Sequence, residues 1–468
     1  MTNTPTIRTE LEAFIKRRGL NISQLGKEAG LNAGTVSSIL KGNRVMAVDQ
    51  LDRMTAVLAL PQGYYYEQYI QECMVEAVPN WRRIRPLLYR CAELDKLDCI
   101  RQIVLLLLDN LTYSPLLFEV AEDFLNQGRK ASAALLYESV ANSERRQHSE
   151  RLAFCQYRLF TLRLGDDQEQ NLQAALQFEP FVDRLDEIDQ LDALRDLANT
   201  YRSLQRWDKV DKVAEEMGNL ARIQISLTQQ PRSKRQELHK KPQRPLFVYV
   251  ALSDLFRGSV CDARGDYEQA LQYDYAYADL SWVQDKDEDT LHWLTLFKEW
   301  AQANIKVSRL MFGDQSVLPE YVDYIKSHNN EKLAGILNIL KSANKSNFDV
   351  DYILQYFESE ISSLIQQKQL KAVGVYSKEL VSDQIGRLLY ELAHYYLKKY
   401  LYFKGFDYLL QGLEKFITLN NETFILKCVR LFENYREFAN SEILFTYRNL
   451  LKGGDEYEKK IGVAVNGA

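Results

Sequence analysis

From Tyr64 onward, apolar residues in this 468-residue chain recur at three- and four-residue intervals, in stretches of about 12 to 20 residues separated by short breaks. No stretch alternates apolar and polar residues as a half-buried strand would, so the chain must bury its apolar surface by packing helix on helix. Its length exceeds what one hydrophobic core supports, which leaves several helical domains or an extended array of helical units. The chain is 46% hydrophobic, with 28 Tyr and 20 Phe against only 10 Pro and 21 Gly, which is the composition of an ordered protein.

Four windows share one spacing. Small residues stand twelve places apart at Ala121 and Ala133, Ala198 and Val210, Gly258 and Ala270, and Ala393 and Gly405. Bulky residues lie among them, at Phe124, Tyr201, Trp207, Tyr267, Tyr396 and Tyr402. Two antiparallel helices that pack closely require small residues at such intervals. Weaker helix pairs fall at Arg151–Gly165 with Gln168–Leu185, at Thr290–Met311 with the Val317 region, at Tyr352–Gln366, and at Thr423–Tyr435 with Phe438–Leu451. The spacing resembles the tetratricopeptide repeat. That resemblance implies a right-handed α-solenoid with a concave groove, expected over residues 111–468 after linker helices at 63–110.

The first 62 residues read differently. Leu11, Phe14 and Ile15 predict a helix from about Thr6 to Arg18, ending at Gly19 with Arg17 and Arg18 in its last turn. Asn21 then caps a helix over Ile22–Ala29, Gly30 turns the chain, and Asn32 caps a second over Ala33–Leu40. Leu25, Ala29, Leu31, Val36 and Ile39 point inward, and Gly42 stops the second helix. Val48–Leu58 closes the segment before Pro61. The outward residues Ala33, Gly34, Thr35, Ser37, Ser38 and Lys41 are short except the last, and Asn43 and Arg44 follow. Short side chains flanked by amides and cations are what a helix entering the major groove needs.

The segment resembles the lambda-repressor-like helix-turn-helix family of the XRE type at Leu25-Gly26, Ala29-Gly30, Asn32, Val36-Ser37, Gly42 and Arg44. The resemblance implies that Ala33, Gly34 and Ser38 face base edges with Thr35 beside them, while Asn32, Lys41, Asn43 and Arg44 touch the DNA backbone. Ile22 stands where the family often has a glutamine that contacts phosphate, and Ala33 and Gly34 bring no side-chain donors, so base reading rests on few groups. Such domains bind symmetric sites as dimers, so a homodimer on a double-stranded operator is expected.

The net charge of -5 is unevenly spread. Residues 1–62 carry eight Lys and Arg against five acids, which leaves the remainder a net charge of -8. A small basic head on an acidic body suits DNA reading better than wholesale binding of nucleic acid. No apolar run approaches the roughly 20 residues of a membrane span, and no apolar h-region stands near the N-terminus, so a cytoplasmic protein without membrane contact is expected. Six scattered cysteines form no CxxC pair, and five dispersed histidines (His148, His239, His292, His328, His394) form no metal motif. No phosphate-cradling glycine loop or nucleophile elbow occurs. Neither enzymatic activity nor a cofactor is expected.

The whole, an XRE-type head on a long tetratricopeptide-like body, resembles the RRNPP peptide-pheromone receptors of Gram-positive bacteria and their phages. The resemblance implies that a short signalling peptide lies in the groove and alters dimer geometry and DNA affinity. Groove-facing places in the second window hold Asp192, Arg195, Asn199 and Arg202, and corresponding places in the fourth hold Arg387, Tyr390 and His394. Asn199 is the first peptide-contact candidate, because its amide can both donate to and accept from an extended backbone. Two other readings stay open: a body that binds or dephosphorylates a response regulator, and a peptide-independent regulator that recruits a protein partner. The proline-containing basic stretch 226–245 reads as an exposed loop or hinge.

Overall fold

The computed structural model describes residues 6–75, 78–145, 149–165, 167–228, 240, 242–366, 378–419 and 421–452. Residues 229–239 and 241 of the expected basic loop lie outside them, as do His148 and His239. Among the described residues the protein is all-α, with no strand. It divides into two compact units, Met1–Leu164 with Gln173–Asp186, and Gly165–Leu172 with Glu187–Ala468.

The first unit opens with α1 (Ile7–Arg18), α2 (Ile22–Glu28), α3 (Ala33–Leu40) and α4 (Val48–Val57). Side chains satisfy the orphan amides at three of their starts. Thr6 accepts from the Thr9 amide at 3.2 Å, Asn32 accepts from the Gly34 amide at 2.7 Å, and Asn21 and Gln24 cap each other reciprocally at 2.9 and 2.8 Å. The chain turns tightly between α2 and α3 because Gly26 has no side chain. A Cβ there would sit 2.8 Å from the Leu31 carbonyl oxygen, and Gly30 completes the turn at φ 63°. Leu25, Val36, Ile39, Leu51 and Met54 are buried together with Ile7 and Leu11.

That core continues past α4. It runs without interruption into α5 (Tyr66–Ile70), the π-turn Gln71–Val75, α6 (Trp81–Glu93), α7 (Leu97–Leu107), α8 (Ser114–Asn126), α9 (Lys130–Ser143) and α10 (Glu150–Arg163). Three buried tyrosines tie the first four helices to the segment around α5. The Tyr65 hydroxyl donates to Glu10 and that of Tyr66 to Asp52, both at 2.7 Å, and that of Tyr69 donates to the Met46 carbonyl at 2.5 Å. Arg90 Nε reaches the other Asp52 oxygen at 2.8 Å, and Glu72 accepts from the Ile7 amide at 2.8 Å. α11 (Gln168–Phe178) has its residues divided between the two units.

The second unit contains α12 (Glu187–Ser203), α13 (Trp207–Thr228), α14 (Leu246–Arg264), α15 (Tyr267–Ala278), α16 (Glu288–Phe312), α17 (Leu318–Ser327), α18 (Lys332–Ser346), α19 (Asp351–Tyr356), α20 (Glu358–Gln366), α21 (Lys378–Lys398), α22 (Tyr402–Thr418), α23 (Glu422–Asn434) and α24 (441–452). From α12 to α16 each helix packs on the next, and α21, α22 and α23 do the same. The small residues of the four windows are all buried, in the pairs α8–α9, α12–α13, α14–α15 and α21–α22. Each large side chain buried at such contacts contributes about 1.5–3 kcal/mol, so packing rather than helix propensity holds these hairpins.

Two features depart from the sequence-based expectation. Tyr352–Gln366 is not one helix: the chain breaks at Phe357, which turns its ring into the core, and two short helices result. The buried α18, in a region assigned to no repeat, packs against α16, α17 and α21.

Candidate functional site

Two surfaces concentrate the chemistry, one in each unit. On α3, Val36 and Ile39 are buried, whereas Ala33, Gly34, Thr35, Ser37 and Ser38 retain partial or full exposure. The Asn32 side chain is committed to capping the helix, which fixes its position beside the first turn. Lys41, Asn43 and Arg44 are exposed at the other end, and none of their side chains has a hydrogen bond or ion pair among the described residues. A third cation joins them. Arg8 is exposed on α1, and its guanidinium lies against Gly42, 2.5 Å from where a Cβ would be. Sequence spacing could not reveal Arg8, because its place depends on how α1 crosses the end of α3.

In the second unit an open cavity of about 500 Å3 is lined by residues from α12, the start of α13, α14, α18 and α21. Asn199, Arg202 and Arg387 line it, so three of the seven expected groove residues come together. Beside them stand Asn338 and Lys341 of α18 and Asp383 of α21, none of which sequence reasoning singled out.

A polar bridge crosses one wall. Arg387 donates from Nε to Asp383 at 2.6 Å and from Nη2 to Gln205 at 2.9 Å, and Asn421 donates to the other Asp383 oxygen at 2.8 Å. The Arg387 guanidinium also sits 4.5 Å from the Phe424 ring centre. Arg387 is therefore partly committed. Asn199 and Lys341 have no hydrogen-bond partner among the described residues. Burial, and next the Arg387 charge, hold the Lys341 ammonium below the ordinary lysine value. With its single lining carboxylate already held by Arg387 and Asn421, the cavity suits amides and anionic groups.

Asp192 and Arg195 do not line this cavity. They are only 3% and 9% exposed, because α14 covers the face of α12 from which they project. Arg195 donates to Asp192 at 2.7 Å and to Asp196 at 2.8 and 3.0 Å, and the Tyr249 hydroxyl of α14 donates to the same Asp192 oxygen at 2.8 Å. The pair joins helices and is not presented to a groove. Tyr390 and His394 lie farther along α21, outside the cavity lining, with ring centres 6.3 Å apart. Burial, and next the Lys398 charge, lower His394 to about 4, so its ring is neutral at physiological pH.

Near Lys341 a half-buried acid departs from its ordinary state. Asp262 has an oxygen shielded from solvent with no partner, and burial followed by the Asp274 charge pushes its pKa from 3.8 up to about 7. The folded state thus binds more protons than the unfolded state between these values, and the stability this group contributes is present below 3.8 and lost as pH rises through about 7. Asp262→Asn is expected to raise the Tm above pH 7, with the gain shrinking toward pH 4. A shift in thermal unfolding that is the same at every pH would contradict this.

No protein-family model, curated protein or solved structure matches this chain. Among the described residues no helix is long and apolar enough to cross a membrane.

Proposed function

We propose that this chain is a DNA-binding transcriptional regulator acting as a homodimer, with α2 and α3 as its helix-turn-helix and α3 as the recognition helix. One observation carries the reading: α3 offers a face of short side chains whose C-terminal end is flanked by Arg8, Lys41 and Arg44, all exposed and without ion pairs among the described residues. Cations that stabilise nothing within the fold are available to phosphates, and short side chains allow a helix to approach base edges.

In this reading the second unit is a tetratricopeptide-like right-handed solenoid that receives a short signalling peptide in the cavity of Asn199, Arg202 and Arg387. The cavity supports this through its volume, its amides and a Lys341 ammonium that no hydrogen bond occupies. Peptide binding alters the relation between the two heads of the dimer and so the affinity for the operator.

Gel shift of the gene's own upstream DNA, with and without candidate peptides, tests both halves. Sequence-selective binding that a peptide shifts is the expected result, and binding unchanged by every candidate would count against peptide control. Asn199→Ala is expected to weaken the active peptide about fivefold, the equivalent of about 1 kcal/mol for one hydrogen-bonding group. Its Tm should stay unchanged, since Asn199 has no hydrogen bond to lose.

A further inference from the structure

Four arginines on α6 divide into two kinds. Arg85 pairs with Asp123 at 3.4 Å, and Arg90 is held by Asp52 at 2.8 Å and by Glu93. Arg82 and Arg83 are exposed and have no side-chain hydrogen bond or ion pair among the described residues.

Their position is unfavourable for the helix itself. They occupy the first turn of α6, which contains no acidic residue, and the helix dipole disfavours cations there. Helix stability therefore does not account for two adjacent arginines at this place.

Packing sets α6 against α4, the helix that follows α3 in the chain. Arg83 lies close enough for its charge to be felt at the Tyr69 hydroxyl, as is the charge of Asp49 from the first turn of α4. That hydroxyl donates to the Met46 carbonyl, two residues beyond Arg44. Arg83 and the chain just beyond Arg44 thus share Tyr69 as a neighbour.

We infer that Arg82 and Arg83 form a second phosphate-binding surface for duplex DNA, in addition to the one made by Arg8, Lys41 and Arg44 and lying outside the helix-turn-helix segment. This rests on the DNA-binding reading above and specifies how much duplex the first unit covers. A guanidinium on a flexible stem contacts phosphate without reading bases, so the surface adds affinity to any sequence.

The test is fluorescence-anisotropy titration of the full-length protein with its upstream DNA and with a scrambled duplex of equal length, across a salt series. Each arginine that neutralises a phosphate contributes about 0.9 to the slope of log affinity against log salt. Arg82→Ala/Arg83→Ala is expected to lower that slope by nearly 2, to weaken both duplexes several-fold by the same factor, and to leave the Tm unchanged or slightly raised.

An unchanged slope in a variant that still binds overturns the second surface and leaves the DNA-binding reading intact. A loss confined to the upstream DNA also overturns it, because phosphate contacts do not discriminate sequence. Wild-type protein that binds neither duplex at any salt overturns the DNA-binding reading, and this inference with it.

Discussion

Asp192→Ala is expected to destabilise the second unit by about 3–5 kcal/mol, the usual result of removing one partner from a buried ion pair. The carboxylate is 3% exposed and accepts from Arg195 at 2.7 Å and from Tyr249 at 2.8 Å, with Arg244 at 3.7 Å. Its removal leaves a buried guanidinium supported only by Asp196 and a buried phenol whose acceptor is gone. Asp192→Asn, which keeps the volume and an acceptor, should cost less. Chemical denaturation followed by far-UV circular dichroism measures both, and an alanine variant within about 1 kcal/mol of wild type would refute the bridging role. Any effect of the substitution on peptide affinity should track the loss of folded protein, since neither Asp192 nor Arg195 lines the cavity.

Lys41→Ala/Arg44→Ala should weaken binding to the upstream DNA and to a scrambled duplex by one common factor. With roughly 1.5 kcal/mol for each charge-assisted contact, the loss is on the order of 100-fold. Both side chains are exposed and make no ion pair within the described residues, so the fold should be indifferent to their loss. Thr35→Ala and Ser38→Ala act differently. They should change the ratio between the two duplexes while leaving affinity for the scrambled one nearly intact. Competitive titration separates these outcomes. If both pairs of substitutions produce the same pattern, the division of the site into phosphate and base contacts is wrong.

The features readable from sequence were those set by a few neighbouring residues. Asn21, Gly30 and Asn32 bound α2 and α3 through caps and a turn that involve only local atoms, and the observed α3 spans Ala33–Leu40. Small residues twelve apart marked helix pairs that pack closely, because that spacing is itself a property of the hairpin. What escaped depends on distant chain. Whether Asp192 faces a groove or a neighbour is decided by α14, whose Tyr249 lies 57 residues away. The wall of the cavity joins Gln205 to Arg387 across 182 residues. α18, which supplies Lys341, buries Leu333, Ile336, Leu337, Ile339 and Leu340 and carries no aromatic residue of the kind that marks the repeat windows. Its apolar spacing marks a helix, but which helices it packs against is set by distant chain.

The tyrosines that join α5 to the first four helices have a consequence for how such a protein can change over generations. Recognition modules on slack tethers can be traded between unrelated bodies, because nothing but the tether is shared. Here Glu10, Met46 and Asp52 each accept a hydrogen bond from a buried phenol beyond residue 64. A graft that ended at the last residue of α4 would strand those hydroxyls in an apolar interior. If α3 reads an operator as proposed, new specificity would be more accessible by substitution on its surface than by replacement of the first four helices, and a successful exchange would have to carry Tyr65, Tyr66 and Tyr69 with it.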